Sequence, residues 1–245
     1  GSRMFAEAGS KITVHDLVLG LVIQSGNDSS IALAEYLHGS EPMFALEMNK
    51  KAAELGMRNS NFMNASGLPH ANHYSTAYDI ALLSRRLIQD FPEHYKIYSQ
   101  KSFSWNNITQ KNRNTLLWTD PTVDGIKTGH TSSAGYNLAS SAIRNDFRVI
   151  VVVLGTNGEK ERAQLSTELI NYAFLNFEHK KLYNEGQVIM TAAVHEGETN
   201  DVNLVPANNV YITFPRGQYD ELTSVIEVQK PLLAPIEQGA EIGKL

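Results

Sequence analysis

Cysteine is absent from the sequence, which excludes disulfides, thiolate metal sites and a cysteine nucleophile and suits an oxidising compartment where stray thiols are a liability. An excess of positive charge is also missing: 21 Lys and Arg, scattered along the chain, stand against 26 Asp and Glu, for a formal net charge of -5. That removes the electrostatic footprint of a nucleic-acid binder. The longest apolar runs, residues 17–23 and 149–154, fall far short of the roughly 20 residues that span a bilayer. No basic stretch leads into an apolar one at the start, so no signal peptide is expected within these residues. His15, His70, His73 and His94 lack metal-ligand spacing, and Gly155-Thr156-Asn157-Gly158 lacks the lysine of a phosphate-binding loop. Neither a metal nor a nucleotide cofactor is expected. Helix acids such as Glu47 and Glu54 read as a solvated face rather than a catalytic carboxylate pair.

What is present is a chain of 245 residues, 42% hydrophobic, able to bury a sizeable core. Thr13-Val14-His15-Asp16 places a hydroxyl three residues before a carboxylate, which predicts a capped helix over about 13–24. Ser25-Gly26-Asn27 ends it, with Asn or Asp capping the next helix. Ser40 opens a helix ending near Gly56, and Thr76-x-x-Asp79 opens another that Phe91-Pro92 closes. Residues 99–122 read as loop-rich. Strands are expected over 123–128, 136–143 and 147–154, the last two joined by an Asn145-Asp146 turn. The continuous 149–154 run predicts a strand covered on both faces. A helix over about 159–178 places Leu165, Leu169, Tyr172 and Ala173 on one stripe. Tyr74, Tyr78 and Tyr136 are expected in core packing, and residues 66–76 concentrate turn signals that fit a mobile substrate loop. Beyond 178 the pattern changes to short β-like pieces at 188–194, 210–214, 224–228 and 234–242. The organisation expected is residues 1–180 as one domain and 181–245 as a small all-β domain.

Two short motifs carry chemistry. Ser25-Gly26-Asn27 lies on a helix-to-helix turn and Lys127-Thr128-Gly129 at the end of a strand. Either alone is common. Their order and matching contexts, with Asn112-Arg113-Asn114 ahead of Leu116-Leu117-Trp118 and His130-Thr131 after the second motif, resemble the serine penicillin-binding proteins, specifically the low-molecular-mass D-alanyl-D-alanine carboxypeptidases of the peptidase S11 type. The resemblance implies an α+β architecture: a β-lactamase/transpeptidase-like catalytic domain, with an antiparallel sheet, helices on both faces and a helical region, then a small β-rich domain. It implies a serine acyl-enzyme that trims peptidoglycan stem peptides ending in D-Ala-D-Ala and is inhibited by β-lactams. Ser25 would relay a proton to the leaving nitrogen, Asn27 would orient the substrate amide, and Lys127 would supply positive potential. Thr128 and Gly129 would meet the peptide as an added strand, and Arg113, His130 and Thr131 would frame its carboxylate.

The resemblance also implies a periplasmic site on the outer face of the inner membrane, with anchoring by a C-terminal amphipathic helix, and no nucleic-acid partner. In such enzymes the attacking serine sits in a Ser-x-x-Lys motif several dozen residues before the Ser-x-Asn turn. No serine here has lysine three residues on, and 24 residues precede Ser25. The expectation is therefore a chain incomplete at both ends, able to bind a D-Ala-D-Ala terminus weakly, unable alone to form an acyl-enzyme, and unlike a self-sufficient monomer. A serine β-lactamase and a non-catalytic peptidoglycan-binding relative are the alternatives.

Overall fold

The structure is a computed structural model describing residues 1–245. Contacts divide the chain into two compact units, Gly1–Ala173 and Phe174–Leu245.

In the first unit, helix α1 (Val14–Gln24) begins as its capping box dictates. Thr13 Oγ1 accepts the Asp16 N–H at 3.0 Å and donates to Asp16 Oδ2 at 2.6 Å. The helix ends where Ser25 turns left-handed, at φ 59°. Helix α2 (Asn27–His38) starts on Gly26 with no side-chain cap, contrary to the Asn or Asp cap expected. Glycine is needed there because a Cβ would meet Asp28 Oδ1 and Ser29 Oγ, each at 2.8 Å. Asp28 instead accepts the amides of Met4, Phe5, Ala6 and Ser29 at 2.9 to 3.0 Å, holding residues 4–6 against the turn. Met4 then joins Leu17, Val22, Ile23, Leu33 and Phe103 in one core cluster.

Ser40 caps α3 (Glu41–Glu54) and Thr76 caps α4 (Ala77–Asp90), as expected. Asp79 in the first turn of α4 is only 1% exposed and accepts the Asn59 N–H at 2.8 Å and the Ser60 hydroxyl at 2.7 Å. It thereby ties the loop after α3 to the start of α4. Asp79→Ala removes the buried carboxylate that accepts both bonds and is expected to cost about 2 kcal/mol in urea unfolding. An unchanged unfolding midpoint would remove this account of the loop.

The stretch expected as loop between 99 and 122 contains a hairpin of β1 (Ser102–Trp105) and β2 (Ile108–Lys111) over Asn106-Asn107. Two short helices flank it, α5 (Pro92–Tyr95) before and α6 (Leu116–Thr119) after. Strands β3 (Val123–Thr131), β4 (Gly135–Arg144) and β5 (Phe147–Thr156) form an antiparallel sheet in sequence order. Asn145 and Asp146 both take positive φ, 49° and 62°, as a tight two-residue hairpin requires. Ile80, Leu87 and Ile88 of α4 pack against Ile126, Ala139, Ile150 and Val152 of this sheet.

Two expectations fail here. β5 is an outer strand, and of its apolar run only Val151 and Val153 are buried, while Leu154 is 42% exposed. The run is therefore covered only in part, with its end left open. Helix α7 (Glu159–Asn176) buries Arg162, Ser166 and Ile170, spaced by one turn, in place of the leucine stripe. Leu165 and Leu169 border β5 beside Val152 and Val153 yet stay 37% and 46% exposed. Tyr74 and Tyr78, expected in the core, are exposed as well.

The second unit is β-rich. β6 (Phe177–Tyr183) begins where the helix was expected to continue and pairs with β9 (Val210–Pro215). β7 (Met190–His195) lies between β8 (Asp201–Leu204) and β11 (Leu232–Leu233), and β10 (Glu227–Val228) pairs with β12 (Gly243–Lys244). Ala192, Leu204 and Leu232 form its buried centre, with Val194, Ile236 and Ile242 packed against them. The first unit is α+β and the second is small and β-rich. No helix is long and apolar enough to cross a membrane.

Candidate active site

The two motifs meet in space. Lys127 on β3 donates from Nζ to Ser25 Oγ on the α1–α2 turn and, at 2.9 Å, to the Thr128 carbonyl. The left-handed Ser25 makes this possible, because that backbone state turns the chain out of α1 and aims its hydroxyl at the sheet. Asn27 lies two residues on, at the first position of α2, with its N–H donating to the Ser2 carbonyl at 2.9 Å.

Apolar side chains wall Lys127 on one side, where Leu21, Val22, Ile126 and Leu138 line a groove of about 410 Å³. Burial holds the Lys127 amine well below the usual lysine range, at about 8, and the guanidinium groups of Arg113 and Arg162 push it the same way. Three cations thus share one corner. Arg113 is exposed, between buried Asn112 and Asn114. Arg162 is 3% exposed, and its Nε has no hydrogen-bond partner, while its Nη2 lies 3.5 Å from the Arg113 carbonyl. A buried guanidinium with an idle N–H beside two other cations is a place where an anion would be stabilised.

Along β3, Thr128 is buried and Gly129 and His130 are exposed, so the strand presents backbone past Lys127. His130 packs on Tyr136 at 4.0 Å between centroids, and the Arg162 guanidinium lies over the other ring partner of that column, 5.8 Å from the Tyr136 centroid. Tyr136 therefore lies at the site rather than in the core. The Thr131 hydroxyl is engaged with Ser133 Oγ at 3.2 Å and the Ala134 N–H at 3.0 Å, which turns it into the β3–β4 connection. Arg162 and Tyr136 were missed as site residues. Their only signal in the sequence is an arginine one turn inside a helix that follows the strand-rich segment, which any surface helix also shows. No group of three or more His, Cys, Asp or Glu is placed to hold a metal ion.

A hydroxyl touching a lysine on the outer strand β3 of an antiparallel sheet, with two guanidinium groups near that lysine, brings the Ser25 and Lys127 motifs together in one place. Residues 1–158 match the family model described as D-alanyl-D-alanine carboxypeptidase, and residues 177–245 match that of the penicillin-binding protein 5 C-terminal domain. The chain belongs to the D-alanyl-D-alanine carboxypeptidase family. It is 43% identical over 248 residues to the D-alanyl-D-alanine carboxypeptidase DacA of Haemophilus influenzae, covering 100% of this chain and 63% of that relative. Among solved structures it resembles penicillin binding protein 5 from Haemophilus influenzae, with a TM-score of 0.91 at 42% identity over 99% of this chain and 72% of that one. It also resembles penicillin-binding protein D2 from Listeria monocytogenes in a cefotaxime-bound form, with a TM-score of 0.62 at 33% identity over 66% and 67% of the two chains. The chain spans 63% of the length of the DacA relative it matches.

Proposed function

We propose that the whole protein is a serine-type D-alanyl-D-alanine carboxypeptidase that removes the terminal D-alanine of peptidoglycan stem peptides in the periplasm and is acylated by β-lactams. The observation that carries this is the contact of Lys127 Nζ with Ser25 Oγ, which joins the two motifs across the fold. In the proposed reaction a serine hydroxyl attacks the penultimate D-alanine carbonyl. Its proton passes through the Ser25–Lys127 pair to the leaving nitrogen, free D-alanine departs, and water hydrolyses the ester. Lys127, Arg113 and Arg162 hold the terminal carboxylate, and Asn27 orients the amide. Exposed Gly129 and His130 lie where the peptide pairs along β3, with buried Thr128 behind them.

No serine among these 245 residues carries lysine three positions on, so this reading assigns the attacking serine to the protein outside them. That same observation favours one second reading, a peptidoglycan-binding relative without the nucleophile. The β-rich unit, matched to the penicillin-binding protein 5 C-terminal domain, supports a carboxypeptidase over a β-lactamase. Anchoring to the inner membrane belongs to the same proposal.

The test is D-alanine release from a diacetyl-L-Lys-D-Ala-D-Ala peptide by the purified protein, with and without benzylpenicillin. Release abolished by penicillin is expected. Peptide binding without release would favour the non-catalytic relative, and rapid penicillin turnover without peptide hydrolysis would favour a β-lactamase.

A further inference from the structure

The tripeptide Asn112-Arg113-Asn114 is buried, exposed, buried, and the two asparagines do different work from the arginine between them. Asn112 fastens the segment to the chain before β1: its N–H donates to the Lys101 carbonyl at 2.8 Å and its Nδ2 to the Gln100 carbonyl at 3.0 Å. Its Oδ1 accepts the Asn114 N–H at 3.0 Å. Asn114, 1% exposed, reaches the other way. Its Nδ2 donates to the Gly125 carbonyl at 3.0 Å and its Oδ1 accepts the Leu116 N–H at 3.2 Å.

Gly125 is a fixed point. A Cβ there would lie 2.5 Å from Tyr95 Oη and 3.3 Å from Tyr98 Cβ, so the backbone is pressed against two tyrosine side chains and held by Asn114 through its carbonyl. Asp124, the residue before it, accepts the Tyr95 hydroxyl at 3.0 Å and two bonds from Arg148 Nη1 at 2.9 and 2.7 Å. Gly125 stands two residues before Lys127, and Asn114 stands one residue after Arg113. At about 3.3 Å per extended residue, this link lies within roughly 7 Å of chain from the backbone of either cationic residue.

Burial is the main cause of the lowered affinity of Lys127 for its proton, and the Arg113 guanidinium adds like-charge repulsion in the same direction. Two like charges drawn together relax apart unless the backbone between them is held. An acidic clamp would hold it but would discharge the potential that attracts a carboxylate. A neutral buried amide holds it without doing so.

We propose that Asn114 is a positioning residue that fixes Arg113 relative to Lys127, so that both cations address one substrate carboxylate. This rests on the carboxypeptidase reading of the site. Asn114 touches no substrate and acts through Arg113.

The test is a double-mutant cycle on peptide affinity, measured by calorimetry with a peptide ending in D-Ala-D-Ala and with the same peptide as its C-terminal carboxamide. Asn114→Ala is expected to weaken binding of the free acid about tenfold and to change binding of the carboxamide less than about twofold. In an Arg113→Ala background the same substitution is expected to change free-acid binding less than about twofold. If Asn114→Ala does not fold, Asn114→Leu, which keeps the buried volume but not the bonds, replaces it. Equal losses on both peptides, or an equal loss with and without Arg113, would show a role in stability alone and overturn the proposal. A wild-type protein that binds acid and carboxamide equally would overturn the carboxylate reading of the site, and the proposal with it.

Discussion

Lys127→Ala is expected to lower the rate of acylation by benzylpenicillin about a thousandfold while leaving the thermal midpoint within a few degrees of wild type. The amine is the group that joins Ser25 to β3, and removing it takes away both the hydroxyl's partner and a positive charge that the proposed mechanism directs at the substrate carboxylate. Stability is spared, or slightly improved, because Lys127 resides in apolar surroundings beside two arginines and takes part in no ion pair that truncation would break. Lys127→Arg is expected to restore little. A planar guanidinium carries its charge but cannot act as a compact amine that gives and regains a proton near neutrality. A variant acylated at the wild-type rate would remove Lys127 from the chemistry.

The second large effect is on pH. The amine keeps its proton below about pH 8 and releases it above. Affinity for a peptide with a free C-terminal carboxylate is therefore expected to be level below pH 8 and to fall by up to about tenfold per unit above it. Because the bound anion favours the charged amine, binding near pH 8 to 9 should take up protons from buffer. Calorimetry in buffers of differing ionisation enthalpy measures that uptake. Affinity unchanged to about pH 9.5, or proton release, contradicts the assignment. A linked effect appears in stability. Folding depresses this lysine, so the unfolded chain binds the proton more tightly, and the resulting penalty is fully present below pH 8. It fades as pH rises toward the ordinary lysine value of about 10.4.

Local rules carried much of the fold. Thr13 with Asp16 and Thr76 with Asp79 marked helix starts because a hydroxyl and a carboxylate three residues apart satisfy the same orphan amides wherever they occur. Asn145-Asp146 marked the β4–β5 turn because few other residues accept positive φ in succession. The β1–β2 hairpin escaped notice although Asn106-Asn107 uses the same device. Its strands are four residues long: β1 alternates only over Phe103 and Trp105, and β2 shows no apolar alternation, so the pattern is too short to stand out.

Where a signal depended on which neighbour covers a face, the sequence misled. The leucines of α7 advertise a buried stripe, yet the buried positions are Arg162, Ser166 and Ile170, because the helix turns its arginine toward Lys127 and Tyr136. For the same reason the site was half legible. Ser25, Asn27 and Lys127 belong to motifs readable from spacing and context, and the structure brings Ser25 and Lys127 into contact. Arg162, Tyr136 and Asn114 reach the neighbourhood of Lys127 through placement alone, and an arginine, a tyrosine or an asparagine in a helix, strand or loop carries no local mark of what it faces.

The most direct test of the central claim is the intact mass of the purified protein before and after incubation with benzylpenicillin. The account predicts a gain of one drug mass, lost when Lys127 is replaced by alanine, with peptide mapping placing the adduct on a serine that has lysine three residues on. An unmodified protein that still binds the D-Ala-D-Ala peptide, or an adduct on Ser25 itself, would contradict it.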